Sequence, residues 1–247
     1  MRSIRVHHVG PLVQGTQLPL EERVALHLLR VLRLKAGAPI VVFDGAGTEH
    51  DATLVALRDG RLGLDIATAR VALPRSPLAI TLAQGVSRGE RMDYAIQKAT
   101  ELGVHAISPL MCERSVVRLD AEQAARKVGH WNGVAIAAAE QSGRADVPVI
   151  VSPIRLEDHL AAALRCPTAR LRLVLDPACH SGPSALPANL REVELLIGPE
   201  GGLSDTELDL ARRAGYQSLR LGPRVLRTET AAAAAIAVLQ AFHGDLG

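Results

Sequence analysis

The chain has 247 residues, 48% of them hydrophobic and 2% aromatic, enough for a sizeable aliphatic core in one large domain or two unequal ones, and too few rings to favour RNA binding by base stacking. The formal net charge of +2 is unevenly spread: residues 1–35 hold Arg2, Arg5, Arg23, Arg30, Arg33 and Lys35 against Glu21 and Glu22, so the front carries +4 and the rest −2. The N-terminus lacks the apolar stretch of a signal peptide, the longest near-continuous apolar run (Ala231–Phe242) is too short to cross a bilayer, and Cys112, Cys166 and Cys179 have no metal-ligand spacing, so a soluble cytoplasmic protein without membrane or metal is expected.

In chain order, "LEERVALHLLRVLRLKAG" predicts a helix ending at Gly37. Next come "PIVVFD", the turn "GAG", "TEHDATLVAL", the turn "RDG" and "RLGLDIA", a strand-turn-strand-turn-strand pattern. Residues 1–72 are therefore expected to form a small β-rich domain, with "LPRSP" at 73–77 as a stiff connector. The basic cluster within this domain can neutralise phosphates, or it is an ordinary solvated surface.

From residue 78 to 247 the rhythm alternates. Strand "LAITLAQGV" precedes an amphipathic helix with Met92, Ala95, Ile96, Ala99 and Leu102 on one face, ending at Gly103. Then follow strand "VHAISPLM", an Ala-rich helix to about Gln141, strand "VPVIVS", helix "LEDHLAAAL", strands "ARLRLVLD" and "EVELLIG", helix "SDTELDLARRAG", strand "QSLRLG" and a last helix from about Thr228. This is an α/β pattern with a mainly parallel sheet covered on both faces, in which ligands bind beyond the C-terminal strand ends.

Loops of one character leave three of those ends. "LDPACHSG" follows Leu175, "GPEGG" follows Ile197 and "GPRVLRTET" follows Leu221. The second enters a helix capped by Ser204 with Glu207 three residues on, the capping-box spacing, and with Leu203 and Leu208 placed as a hydrophobic staple. Glycines admit a ligand close to backbone, and free amides at helix starts favour polar groups. No P-loop and no GxGxxG after the first strand of the α/β region is present. "GAGTEH" lacks the third glycine and reads as a hairpin turn. ATP and NAD are thus disfavoured, and an adenosine without phosphates suits walls built from Leu175, Ile197, Leu221 and Leu226. S-adenosylmethionine is such a ligand.

"LLIGPEGGLSDTE" with "LGPRVLRTETA" closely resembles the C-terminal signature of the bacterial 16S rRNA (uracil-N3)-methyltransferases of the SPOUT superfamily. "HLLRVLRLKAG", "VVFDGAG", "SRGERMDYAIQKATELGV", "ERSVV" and "EQSGR" resemble that family's remaining motifs in matching order along the whole chain. The resemblance implies a PUA-like RNA-binding domain at the front. It also implies a C-terminal methyltransferase domain with a deep trefoil knot, a feature otherwise nearly absent from proteins. Family members bind S-adenosylmethionine in the knot, act as homodimers and methylate N3 of a uridine in the decoding region of the small ribosomal subunit.

By position, the resemblance assigns Gly198, Pro199, Glu200, Gly201 and Gly202 to one cofactor loop, Leu221 and Gly222 to the edge of a second, and Leu226 to Thr230, with Thr228, to a third. Within that third loop Arg227 is a candidate to stabilise negative charge on the uracil, and Glu229 to orient the base or accept its proton. Structural alternatives are an ion pair for Arg227 and a helix-start carboxylate for Glu229. Candidate RNA contacts are Arg2, Arg5, Arg30, Arg33, Arg114 and Arg144. Two rival readings share the fold, a knotted RNA methyltransferase acting on a ribose hydroxyl or a tRNA base, and a non-catalytic rRNA-binding assembly factor. The last helix, apolar nearly all round, suits a dimer contact or an internal core.

Overall fold

A computed structural model describes residues 3–165 and 170–247. Arg2 and Cys166 lie outside the described residues. The chain forms two compact units, Met1–Arg75 with Ala139–Val147, and Ser76–Ala138 with Pro148–Gly247.

The first unit is built on a five-stranded sheet. Its strands are β1 (Arg5–His7), β2 (Gln17–Pro19), β3 (Pro39–Phe43), β4 (Glu49–Ala56) and β5 (Leu62–Arg70), in the order β1-β3-β4-β5-β2. β1 runs parallel to β3, and the other pairings are antiparallel. The sheet has two apolar faces. Ile40, Val42, Leu54, Leu64 and Ile66 pack with Leu28 on one, while Phe43 packs with Ala139 and Ala145, which is how residues 139–147 come to belong to this unit. β1 and β2 were not anticipated, because three residues are too few to show a period of two.

The predicted helix to Gly37 is corrected. α1 (Glu22–Leu26) passes into a single π-helical turn, His27–Val31, and the helix stops there. Leu32 N donates to His27 O at 3.1 Å and Leu34 N to Leu28 O at 3.0 Å, and Arg33 takes φ 52°, which a helix cannot absorb. Gly37 N instead donates to Leu54 O at 2.8 Å, a strand contact. The extra residue in the turn lets Leu28 stay buried and Leu34 pack on the same core after the chain has left the helix.

The second unit follows the alternating pattern. β6 (Ala79–Gly85), α2 (Glu90–Glu101), β7 (Ala106–Met111), α3 (Ala121–Ser142), β8 (Val149–Ile150), β9 (Ile154–Arg155), α4 (Leu156–Arg165), β10 (Leu171–Leu175), β11 (Glu192–Ile197), α5 (Asp205–Arg213), β12 (Gln217–Leu219) and α6 (Thr228–His243) follow in order, the last turn of α3 lying in the first unit. All sheet pairings are parallel, in the order β12-β10-β11-β6-β7-β8, and β9 continues the pairing of β8 along β7. The strand expected over "VPVIVS" is therefore two short pieces. α2 buries Met92, Ala95, Ile96 and Ala99 as its periodicity requires and packs against α6.

Two polar clusters are closed inside this unit. Gln240 of α6 is fully buried. Its Oε1 accepts from Ser76 Oγ at 2.6 Å, and its Nε2 donates to Leu102 O at 3.0 Å. Glu194 of β11, 5% exposed, accepts from the Tyr216 hydroxyl, from Arg170 Nη1 at 3.2 Å and lies 2.6 Å from His159 Nε2. Burial works to raise its pKa, but these partners outweigh burial and hold the carboxyl down at about 2. Among the described residues, no helix is long and apolar enough to cross a membrane.

Candidate active site

β10, β11 and β12 are neighbours, so the loops leaving Leu175, Ile197 and Leu219 start at the same edge of the sheet. Together with the start of α6 they surround a cavity of about 540 Å3. Its lining includes Leu175, Ile197, Gly198, Pro199, Glu200, Gly201, Gly202, Leu221, Gly222, Leu226, Arg227, Thr228 and Glu229, so the structure brings these candidates together. Thr230 does not line the cavity and is exposed on the first turn of α6. Arg91, Asp176 and Val225 also line it and were missed. Asp176 directly follows a strand ending at the site, a signal that was open to use, whereas nothing local marks Arg91 on α2.

Packing fixes most of the glycine loop. A Cβ on Gly85, at the end of β6, would fall 2.4 Å from Pro199 N, and one on Gly198 would fall 2.8 Å from Leu203 N. At Gly201 a Cβ would meet Arg114 Cβ at 2.9 Å, so this glycine is required by the neighbouring chain segment. Gly202 has φ 69° with open space around it, so only its backbone conformation selects glycine. The exit from the loop is the expected capping box. Glu207 N donates to Ser204 Oγ at 3.2 Å, and Ser204 N donates to Glu207 Oε2 at 2.9 Å. Glu207 Oε1 also accepts from Glu113 N at 2.7 Å, which ties the loop after β7 to the same helix start.

A second tie joins the glycine loop to α6. The buried Thr228 hydroxyl donates to Gly198 O at 2.6 Å and accepts from Gln84 Nε2 at 2.9 Å. Arg227, at the N-cap of α6, has an extended backbone and an exposed side chain.

Two buried carboxylate oxygens in this lining lack partners. Glu200 Oε1 accepts from Arg88 N at 2.9 Å and from Arg91 Nη1 at 3.1 Å, while its Oε2 is buried without a partner. Burial pushes the Glu200 pKa up, but the Arg88 amide and the Arg91 guanidinium prevail, so it lies below the usual carboxylate value and the group is ionised. Glu229 Oε2 is likewise buried and unpartnered. Among the described residues no hydrogen bond or ion pair engages the side chain of Arg224 or Arg227.

The RNA-contact candidates divide differently. Arg5 is paired with Glu49 at 2.7 Å, donates to Arg144 O at 3.0 Å and stacks over Phe43. Arg144 is bidentate to Asp146, at 2.7 and 3.2 Å. Arg114 donates to Gly201 O and Leu203 O, each at 3.3 Å, and so braces the glycine loop. Arg30 and Arg33 are exposed at the π-helical turn and just after it.

Comparison with known proteins accords with this geometry. Residues 74–240 match the model of an RNA methyltransferase domain, and residues 20–65 that of an RNA methyltransferase PUA domain. The ribosomal RNA small subunit methyltransferase E of Buchnera aphidicola (subspecies Schizaphis graminum) is 32% identical over 93% of this chain and 92% of its own. A Legionella pneumophila protein solved in complex with SAM superposes with a TM-score of 0.93, at 39% identity and over 100% of both chains. A ribosomal RNA small subunit methyltransferase E from Neisseria gonorrhoeae, bound to S-adenosyl methionine, gives 0.90, at 35% identity and again over 100% of both chains. With likeness in sequence and in fold along its whole length, the chain belongs to the ribosomal RNA small subunit methyltransferase E family.

Proposed function

We propose that this chain transfers a methyl group from S-adenosylmethionine to N3 of a uridine in the decoding region of 16S rRNA. It acts in the cytoplasm as a homodimer. In this reading residues 1–72 are the PUA-like RNA-binding part, 73–77 the connector and 78–247 the methyltransferase part, with the glycine loop and the stretch before α6 drawn into a trefoil knot. The observation that carries the reading is the pair of buried carboxylate oxygens without partners, on Glu200 and Glu229, in a glycine-lined cavity with leucine and isoleucine walls. Buried carboxylate oxygens without protein partners call for a ligand that is cationic or gives them a proton to hold. A sulfonium with an ammonium at one end and an adenosine at the other answers both the charge and the walls.

When bound, the cofactor supplies a methyl group already activated toward a nucleophile. The chain's residues do the rest. Leu175, Ile197, Leu221 and Leu226 would give the adenosine apolar walls, and the backbone of residues 198–202, with Gly222, would hold its polar groups. Uridine N3 keeps its proton at neutral pH, so that proton must be taken as the new bond forms. Glu229 accepts it at Oε2, the oxygen without a partner. Arg227, free of ion pairs among the described residues, offsets negative charge on the uracil carbonyl oxygens. Arg30 and Arg33 meet phosphates, and Arg114 serves the RNA side by holding the glycine loop.

The test is transfer of labelled methyl groups to small subunits lacking this modification, followed by nucleoside mass spectrometry. N3-methyluridine is expected. Methylation confined to ribose, or to tRNA, would establish the knotted enzyme of another target, and RNA binding without transfer would establish the assembly factor.

A further inference from the structure

N3 lies on the pairing edge of uracil, so a uridine can be methylated there only when unpaired and turned out from its neighbours. Something must hold the space that the base leaves and the backbone around it. Residues 222–227 have the means. Gly222, with φ 78°, and Pro223 set a fixed bend at one end, and Thr228 anchors the other through Gly198 O. Between them Val225 is 82% exposed, although it lines the rim of the cavity. It is flanked by Arg224 and Arg227, whose side chains are exposed and have no partner among the described residues. An apolar tip between two unpaired guanidiniums, on a segment braced at both ends, has the make-up of a wedge for a nucleic-acid strand.

We infer that Val225 is a positioning residue that enters the stack vacated by the target uridine, while Arg224 binds a phosphate of the strand beside it. This rests on the proposed methyl transfer to uridine N3. The occupant is an RNA strand rather than a second protein surface, because the neighbouring cations are unpaired and one strand meets both, with a phosphate at Arg224 and the target uracil at Arg227.

Wild-type protein is first assayed on small subunits lacking the modification; absence of N3-methyluridine at that stage defeats the proposed function itself. With wild-type activity in hand, Val225→Ala should lower kcat about tenfold with little change in KM, since the wedge acts after docking. Val225→Ile should restore it. Arg224→Gln should raise KM and reduce the salt dependence of RNA binding by about one phosphate contact. Cofactor affinity by calorimetry and oligomeric state by sedimentation should match wild type in all three. A changed oligomeric state in Val225→Ala would overturn the inference by showing that a second copy covers the side chain. Unaltered turnover, or a parallel loss of cofactor affinity, would overturn it as well.

Discussion

Arg5 is a sequence candidate for RNA contact and Arg227 for stabilising charge on the target uracil, and they occupy opposite electrostatic settings. Arg5 has a side chain only 11% exposed, a carboxylate at 2.7 Å, a carbonyl at 3.0 Å and a ring beneath it. Arg227 is exposed and unpaired among the described residues. The same contrast separates Asp146, held by Arg144 and Arg75, from Glu200 and Glu229, each with one buried oxygen left over. In the first unit much of the charge is used up in holding the fold. Around the cavity it is left incomplete, and incomplete valence is what a ligand can finish. The sequence excess at the front therefore overstates the cation available there, since Arg5 is already spoken for.

The largest effect should come from breaking the closed side. Arg5→Ala strands Glu49, buried, with only Arg70 at 3.4 Å, and should lower stability by about 3 kcal/mol in chemical unfolding. Loss of RNA affinity at unchanged stability would erase the contrast. Next is Glu194, a closed cluster within the second unit. Its folded pKa, about 2, lies below its ordinary 4.5, so its stabilisation is complete above about pH 4.5 and disappears as the pH falls toward 2. Glu194→Gln should remove about 3 kcal/mol at neutral pH and flatten the acid limb of the stability profile. An acid limb as steep as wild type would show that other carboxylates control it.

Smaller effects sharpen the open side. Gly198→Ala forces a Cβ to within 2.8 Å of Leu203 N and should weaken cofactor binding at least tenfold, about 1.4 to 3 kcal/mol. Gly202→Ala meets no atom within 4 Å and should lose only about 1 kcal/mol, through its φ of 69°. Equal losses on titration with S-adenosylmethionine would mean that shape, not crowding, decides both. The smallest effect belongs to Arg30→Ala. It should reduce RNA affinity a few-fold at low salt, with stability unchanged within about 0.5 kcal/mol.

What the sequence made legible was local. The capping box at Ser204 and Glu207, the buried face of α2 and the alternation of strand and helix each depend on residues a few positions apart, and each is present in the structure. What it hid depends on distant partners. The helix toward Gly37 kept its apolar spacing on paper, but Gly37 N has its acceptor on β4, and the chain unwinds through a π turn to reach it. Gly201 lines the cavity, but the atom nearest to its missing Cβ belongs to Arg114, a partner far away in sequence. Residues 139–147 are the end of α3 and the stretch after it, and through Ala139 and Ala145 they pack on Phe43 within the first unit, a partnership with no sequence periodicity to announce it.

The hydroxyl of Thr228 both gives and takes a hydrogen bond. A valine there would keep the shape and forfeit both, leaving the Gly198 carbonyl without this donor and the buried Gln84 amide with Gly85 O at 3.2 Å alone. Neither strand end can be drawn aside without disturbing the other, so the walls on the β6, β11 and α6 sides yield as one piece.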